Sequence, residues 1–312
     1  MATKKEVKKE EKKEIKRKNR VTIAGYLREN TLEVVNSPYG KSIRGALIIS
    51  TSETNSHKVQ FYVRDNNAEY ENLEKMLPGD TMSIANYLKT NSNSTFEEAC
   101  GAATRMLVLA SFDEFASRSG ERVRSMITFK GFKATILDPT KPLTPRAEFD
   151  IDGYISDITP EIVDGEETGR LKIICLLPKY NDSVSVVDFI AVKEDRVAEY
   201  IQKTFAVGDT ASFRGDIYNI SIKKLVESDE DEYFGKAKAP QYETTFIRER
   251  RFIGGAKKPI KDGEDGCIGK QFITDALVKR EEEMIKAGTN YKNKTAETKP
   301  QPSFSTTSDL DF

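Results

Sequence analysis

The sequence predicts a mainly β chain in which one small barrel occurs twice, followed by a helix. Three observations predict it. Ile23-Ala24-Gly25-Tyr26-Leu27 returns as Ile151-Asp152-Gly153-Tyr154-Ile155, and Pro78-Gly79-Asp80-Thr81 returns as Val207-Gly208-Asp209-Thr210. The separations nearly agree, 54 positions from Gly25 to Gly79 and 55 from Gly153 to Gly208. Between the motifs, each copy runs through period-two alternation and then a helical pattern in the same order, the mark of a repeated unit.

In the first copy Val21 to Leu27 alternates apolar and polar residues, Ile43 to Thr51 is a β-branched run, and Lys58 to Arg64 alternates strictly. Tyr70, Leu73, Met76 and Leu77 then recur at helical spacing. Gly79 is expected to supply a left-handed stop, with a further strand at Thr81 to Tyr87. The second copy offers strands at Phe149 to Ile155, Leu171 to Leu177 and Ser183 to Val192, a helix near Arg196 to Phe205, and a strand at Thr210 to Ile217. Three strands, a helix and a fourth strand, with a closing strand to follow, is the order of a five-stranded Greek-key barrel of the OB-fold type. Other small barrels and α+β domains share that pattern.

The expected domains are a basic disordered arm over 1–19, an OB-fold-like domain over 20–137, a Pro-containing linker over 138–146 and a second OB-fold-like domain over 147–260. A helical segment over 261–288 and a disordered tail over 289–312 complete the chain. An apolar fraction of 38% is low for 312 residues all packed into cores, so part of the chain is expected to be unpacked. No apolar run approaches membrane length and the N-terminus is charged, which predicts a cytoplasmic protein. Cys100, Cys175 and Cys267 form no Cys-x-x-Cys pair, which argues against a disulfide framework and a zinc site.

Residues 1 to 20 carry ten Lys or Arg against four Glu, a composition that can neutralise phosphates or serve as a solvated arm. The sharper candidate is the strand around His57 to Asp65. With Val59, Phe61 and Val63 facing the core, Lys58, Gln60, Tyr62 and Arg64 share the opposite face. That face unites a ring able to stack on any base with cations for phosphates; an ordinary solvated strand face has the same appearance. Arg44 on the preceding strand, and Tyr39 and Lys41 in the loop before it, extend the set. A second basic and aromatic group follows the expected hairpin tip Arg118-Ser119-Gly120-Glu121-Arg122, with Arg122, Arg124, Phe129, Lys130 and Lys133 as candidates.

The corresponding strands of the second copy, Leu171 to Leu177 and Val184 to Ile190, are apolar on both faces, which predicts a surface covered by another element or subunit. Most nucleic-acid contact is therefore expected in the first copy. After the acidic run Glu227 to Glu232, the stretch from Tyr242 to Lys258 brings Arg248, Arg250 and Arg251. By its placement it matches a closing strand, and it suits either nucleic acid or pairing with the acidic run. A helix over Phe272 to Lys286 is expected to dock on the second barrel or on a partner.

Catalysis finds little support. His57 is the one histidine, and Gly40-Lys41-Ser42 lacks the glycine and the following helix of a phosphate loop. No enzyme activity, metal or cofactor is expected.

The chain finishes Ser308-Asp309-Leu310-Asp311-Phe312. This ending resembles the C-terminal tip of bacterial and phage single-stranded DNA-binding proteins, with two acids and without the proline before Phe that the bacterial tip usually carries. Arg248-Glu249-Arg250-Arg251-Phe252-Ile253-Gly254-Gly255 is also similar to a segment of such phage proteins, and the whole chain resembles a phage-type member with tandem OB-folds. The resemblance implies sequence-tolerant binding and protection of single-stranded DNA in phage replication, recombination and repair. It also implies docking of partner proteins through Asp309, Leu310, Asp311 and Phe312. The competing expectation is a virion or scaffold component that uses the barrels as protein-interaction modules, and homo-oligomers suit either.

Overall fold

The computed structural model describes residues 17–38, 40–119, 122–163, 165–226, 241–261, 263–264 and 266–297. The basic arm up to residue 16, the acidic run, and the tip at Asp309 to Phe312 lie outside them.

The first copy contains β1 (Asn19–Asn30), β2 (Glu33–Ser37), β3 (Gly40–Ser50), β4 (Ser56–Arg64), α1 (Tyr70–Glu74), α2 (Ile84–Thr90), α3 (Phe96–Ala102), β5 (Arg105–Ser119) and β6 (Arg122–Ile136). β1 pairs antiparallel with β3 and β5, β3 with β4, and β5 with β6, while β4 and β6 run parallel. The ring β1-β3-β4-β6-β5 closes on itself in OB order, which leaves no long free edge. The second copy contains β7 (Arg146–Val163), β8 (Glu166–Pro178), β9 (Val184–Ala191), α4 (Val197–Thr204), β10 (Thr210–Val226) and β11 (Gln241–Gly255). Its ring β7-β8-β9-β11-β10 closes through the same pairings, β9 and β11 being the parallel pair.

The copies agree in detail. Tyr26 faces Arg105 across β1 and β5 as Tyr154 faces Thr210 across β7 and β10. β-Bulges fall at matching places, between Leu27 and Glu29 and between Ile155 and Asp157, then at Leu109/Ala110 and at Arg214/Gly215. A bulge bends its strand and strengthens the twist, so a matched pair gives two barrels the same corners.

One expected strand is wrong. Thr81 to Tyr87 is not a strand, because Ser83 caps α2 by accepting from the Asn86 N–H, and the fourth strand of the first barrel is β5. The chain leaves the barrel at Met82 and returns at Thr104, whose N–H donates to Met82 O at 2.8 Å. The excursion holds α2 and α3, the second opened by a capping box between Thr95 and Glu98. Gly79 also lacks the expected left-handed conformation, whereas Gly208 has it at φ +100°. Two features went unread, β2 and the length of the hairpins.

The barrels join along their first strands. β1 pairs antiparallel with β7, with Asn19 opposite Ile151, Val21 opposite Phe149 and Ile23 opposite Ala147. Since Ile23 corresponds to Ile151 and Asn19 to Ala147, the register is that of a pseudo-two-fold axis through the Val21–Phe149 pair. The core is continuous across this seam. Phe112 packs on Phe149 and Phe189, and the contacts continue through Phe252 to Phe213, with ring centroids 4.5 to 5.9 Å apart.

Each long hairpin reaches the opposite barrel. Glu114 on β5 accepts from the Val186 N–H at 3.0 Å, and Asn219, its counterpart on β10, donates through Nδ2 to Ser56 O at 2.5 Å. Ser56 and Val186 are themselves equivalent positions.

α5 (Lys270–Glu297) covers the second barrel. Ile273, Ala276 and the preceding Ile268 bury Leu176 and Val184, which is why those strands are apolar on both faces. Farther along, Arg280 forks onto Glu114 at 2.6 and 2.7 Å. No helix among the described residues is long and apolar enough to cross a membrane.

Candidate nucleic-acid interface

β4 alternates as its sequence dictates. His57, Val59, Phe61 and Val63 are buried, and Lys58, Gln60, Tyr62 and Arg64 are exposed on the outer face. Tyr62 is 59% exposed, a ring held out by the pleat and not by lack of room in the core. Arg44 stands opposite Tyr62 on β3 and pairs with Glu33 at 2.9 Å, so part of its charge is already answered. Lys41 is exposed beside Asp65, which accepts its N–H at 2.9 Å. Tyr39 lies outside the described residues.

The Lys58 end of this face runs into a cleft of about 260 Å³ between the first barrel and the second hairpin. Lys58 and Gln60 line one wall, Phe129 and Met126 of β6 the next, and Asn219, Arg248 and Arg250 of β10 and β11 the third. Residues from the three sequence-predicted groups thus meet in one place, although almost 200 positions separate Lys58 from Arg248. The pairing of Asn219 with Ser56 and Asn55 fixes that meeting by anchoring the second hairpin beside β4.

Two cations of this group differ in availability. Arg250 is largely buried, pairs with Asp188 at 2.9 Å and lies over the Phe112 ring; burial lowers its pKa from the ordinary value, opposed by Asp188. It is a floor to the cleft. Arg248 is exposed and sits over the Phe246 ring, 5.6 Å from the centroid. Phe246 (60% exposed) and Tyr242 (61%) share its face of β11 and were missed as candidates, although the spacing of 242, 246 and 248 along one strand carries the signal.

Other candidates are not gathered here. Arg251 turns to the opposite face of β11, where it pairs with Glu249 at 2.6 Å and covers Tyr218. Lys130 is exposed near the Tyr180 ring at 5.9 Å, and Lys133 is exposed nearer the end of β6. Arg122 and Arg124 open β6, but their side chains are outside the description. Phe129 is partly buried, with one side against Phe112 and His57 and another on the cleft.

His57 underlies the same cleft wall. It is fully buried, its Nδ1 has no hydrogen-bond partner among the described residues, and burial lowers its pKa to about 4. The ring is therefore neutral core in this site, not a charge for DNA.

No curated protein matches this chain. Among solved structures it is similar to the single-stranded DNA binding protein from Thermus aquaticus. The wild-type form is 12% identical, with 82% of this chain and 98% of that chain covered and a TM-score of 0.45. A deletion mutant of the same protein is 13% identical, with 80% and 97% covered and a TM-score of 0.45. The YorF family model matches residues 18–290, nearly all of the described chain, and the protein belongs to the YorF family.

Proposed function

We propose that this protein binds single-stranded nucleic acid along a track from the outer face of β4 into the inter-barrel cleft and out along β11. The observation that carries the reading is the convergence of Lys58, Gln60, Phe129 and Arg248, from separate copies, around one open cleft. Tyr62 at one end and Phe246 at the other supply exposed rings, and Arg64, Lys58 and Arg248 supply cations. An unpaired base has a free π-face, and stacking it on an aromatic ring is worth about 1–3 kcal/mol whatever the base. Duplex DNA hides those faces, so this combination favours single strands.

A net charge of −1 is compatible with the reading, because the local placement of Lys58, Arg64 and Arg248, and not the sum over the chain, meets the phosphates. The finer role is protection of exposed single strands in replication, recombination and repair. In it the acidic segment Asp309 to Phe312 recruits partner proteins, Leu310 and Phe312 filling apolar pockets while the two acids steer the approach. These roles rest on the resemblance of that segment and on the track.

The track is tested by two sets of substitutions at exposed positions, Tyr62→Ala with Arg64→Ala on the first barrel and Phe246→Ala with Arg248→Ala on the second hairpin. Each pair should weaken oligo-dT binding at least tenfold with the thermal transition unchanged. Undiminished affinity in the second pair would confine binding to the first barrel, and undiminished affinity in both would remove the track.

A further inference from the structure

The two barrels differ at the seam between their helix and the last strand. In the first, Asn72 Nδ2 on α1 donates to Ala134 O at 2.6 Å, and Glu69, just ahead of the helix, accepts from the Ala134 N–H at 2.9 Å. Two side chains thereby satisfy the outward backbone of β6. The Met76 N–H closes on Leu73 O where the Phe205 N–H closes on Ile201 O, so buried Tyr70 and Leu73 match buried Ala198 and Ile201, and the counterparts of Asn72 and Glu69 are Tyr200 and Val197. Val197 carries no polar side-chain atom, and the Tyr200 hydroxyl donates farther along the chain, to Lys257 O at 2.8 Å. The counterpart of Ala134 is Gly255, since Val108 faces Ala134 as Phe213 faces Gly255.

At this point the second barrel has a cleft of about 620 Å³. Phe205, Phe213 and Phe252 form a buried floor, and Ile201, Gly254 and Gly255 line the sides. The Ala256 N–H donates to Ser212 O at 2.8 Å. Because donors and acceptors alternate along an antiparallel strand, Gly255 turns its own N–H and C=O away from β10, toward the cleft. Gly255 is exposed, and a Cβ there would lie 2.4 Å from Ser212 O, so this edge stays free of side-chain cover. On the rim Arg196 forks onto Glu199, while Lys203 and Lys257 stand exposed.

We infer that this cleft is a docking site for an extended peptide segment of a partner protein, one that alternates apolar and acidic side chains. The peptide backbone exchanges hydrogen bonds with Gly255, replacing the bonds that Asn72 and Glu69 make in the first barrel. An apolar side chain lies over Phe213 and Phe252, and acidic neighbours meet Lys203 and Lys257. Backbone pairing supplies affinity and alternate side chains supply selection, as in other strand-addition sites. Charge chooses the occupant, because among the described lining residues Arg196, Lys203 and Lys257 outnumber the acid Glu199. The site is separate from the β4 track, so its failure and the failure of the DNA reading are distinguishable.

The test uses the full chain and an acetylated, amidated hexapeptide of alternating Phe and Asp, with a Phe and Lys hexapeptide and oligo-dT as comparisons, followed by calorimetry and by backbone amide shifts. The acidic peptide should bind and shift the Gly254 and Gly255 amides. Lys203→Glu with Lys257→Glu, both at exposed positions, should weaken it at least tenfold and turn the preference toward the basic peptide. Val197→Glu with Tyr200→Asn, which writes the first barrel's pair into the second, should abolish peptide binding and leave oligo-dT affinity unchanged; the charge reversal keeps the test decisive if this variant fails to fold. Equal binding of both peptides, no binding, or displacement of the peptide by oligo-dT would overturn the assignment, the last in favour of a nucleic-acid subsite.

Discussion

Val21 and Phe149 face each other across paired strands while holding the same position in two copies of one barrel. The contact is what a symmetric dimer makes at its axis, here written into a single chain. Both side chains are buried, and the aromatic contacts from Phe112 to Phe213 cross the axis without interruption. Burial of a shared core couples the barrels, so chemical denaturation should give one transition, coincident by far-UV signal and by tyrosine fluorescence. Two resolved transitions would mean that the barrels are energetically independent.

Glu114 joins three elements at this interface, holding Arg280 of α5, the Ser125 hydroxyl of β6 and the Val186 N–H of β9. Burial opposes its charge, but these donors outweigh that and hold its pKa below the usual carboxylate range. A depressed carboxylate contributes stability that is present above its unfolded pKa and is lost as pH falls through the folded one. Arg280→Ala leaves the carboxylate buried without its main partner and should cost about 3 kcal/mol in urea unfolding at pH 7. Glu114→Gln should flatten the acid limb of the stability curve. A cost within error of zero for both would show that the helix docks through Ile273 and Ala276 alone.

His57 gives a second pH dependence. Its folded pKa of about 4 lies below the ordinary 6.5, so the unfolded chain takes up the proton first as pH falls. The stabilising contribution of the neutral ring is complete above pH 6.5 and declines toward pH 4, amounting to about 3 kcal/mol over that interval. The second copy has Val187 at this position, so His57→Val is a substitution the fold already uses. Unfolding free energies of the variant should lose that slope. A slope that survives in His57→Val would assign it to carboxylates.

Much of this fold is legible in the sequence because the repeat is. Gly25 and Gly153 mark the same point of the first strand, and the alternation Lys58 to Arg64 gives the face of each residue. The excursion of α2 and α3 defeated the same reasoning: Thr81 follows its motif as Thr210 does, yet the strand expected there begins at Arg105, behind a capping box that was readable at Thr95 and Glu98. The repeat motif records where the loop ends, not what is inserted after it. Site geometry was less legible for a different reason. Lys58 and Arg248 meet because Asn219 anchors a hairpin to Ser56, a long-range contact that no local pattern encodes. Arg250 and Arg251 read alike as strand cations, but one is buried against Asp188 and the other points away from the cleft.

The most direct test of the central claim is fluorescence anisotropy of labelled oligo-dT with the full chain across a salt series, with duplex DNA as competitor. Binding should be resistant to duplex. Its logarithm should fall with log salt at a slope of about −2 to −3, the value for three or four cations on the track at roughly 0.7 each for single strands. No binding at low salt, or equal displacement by duplex, would contradict the account, and the apolar cleft of the second barrel would become the place to look for what this protein does.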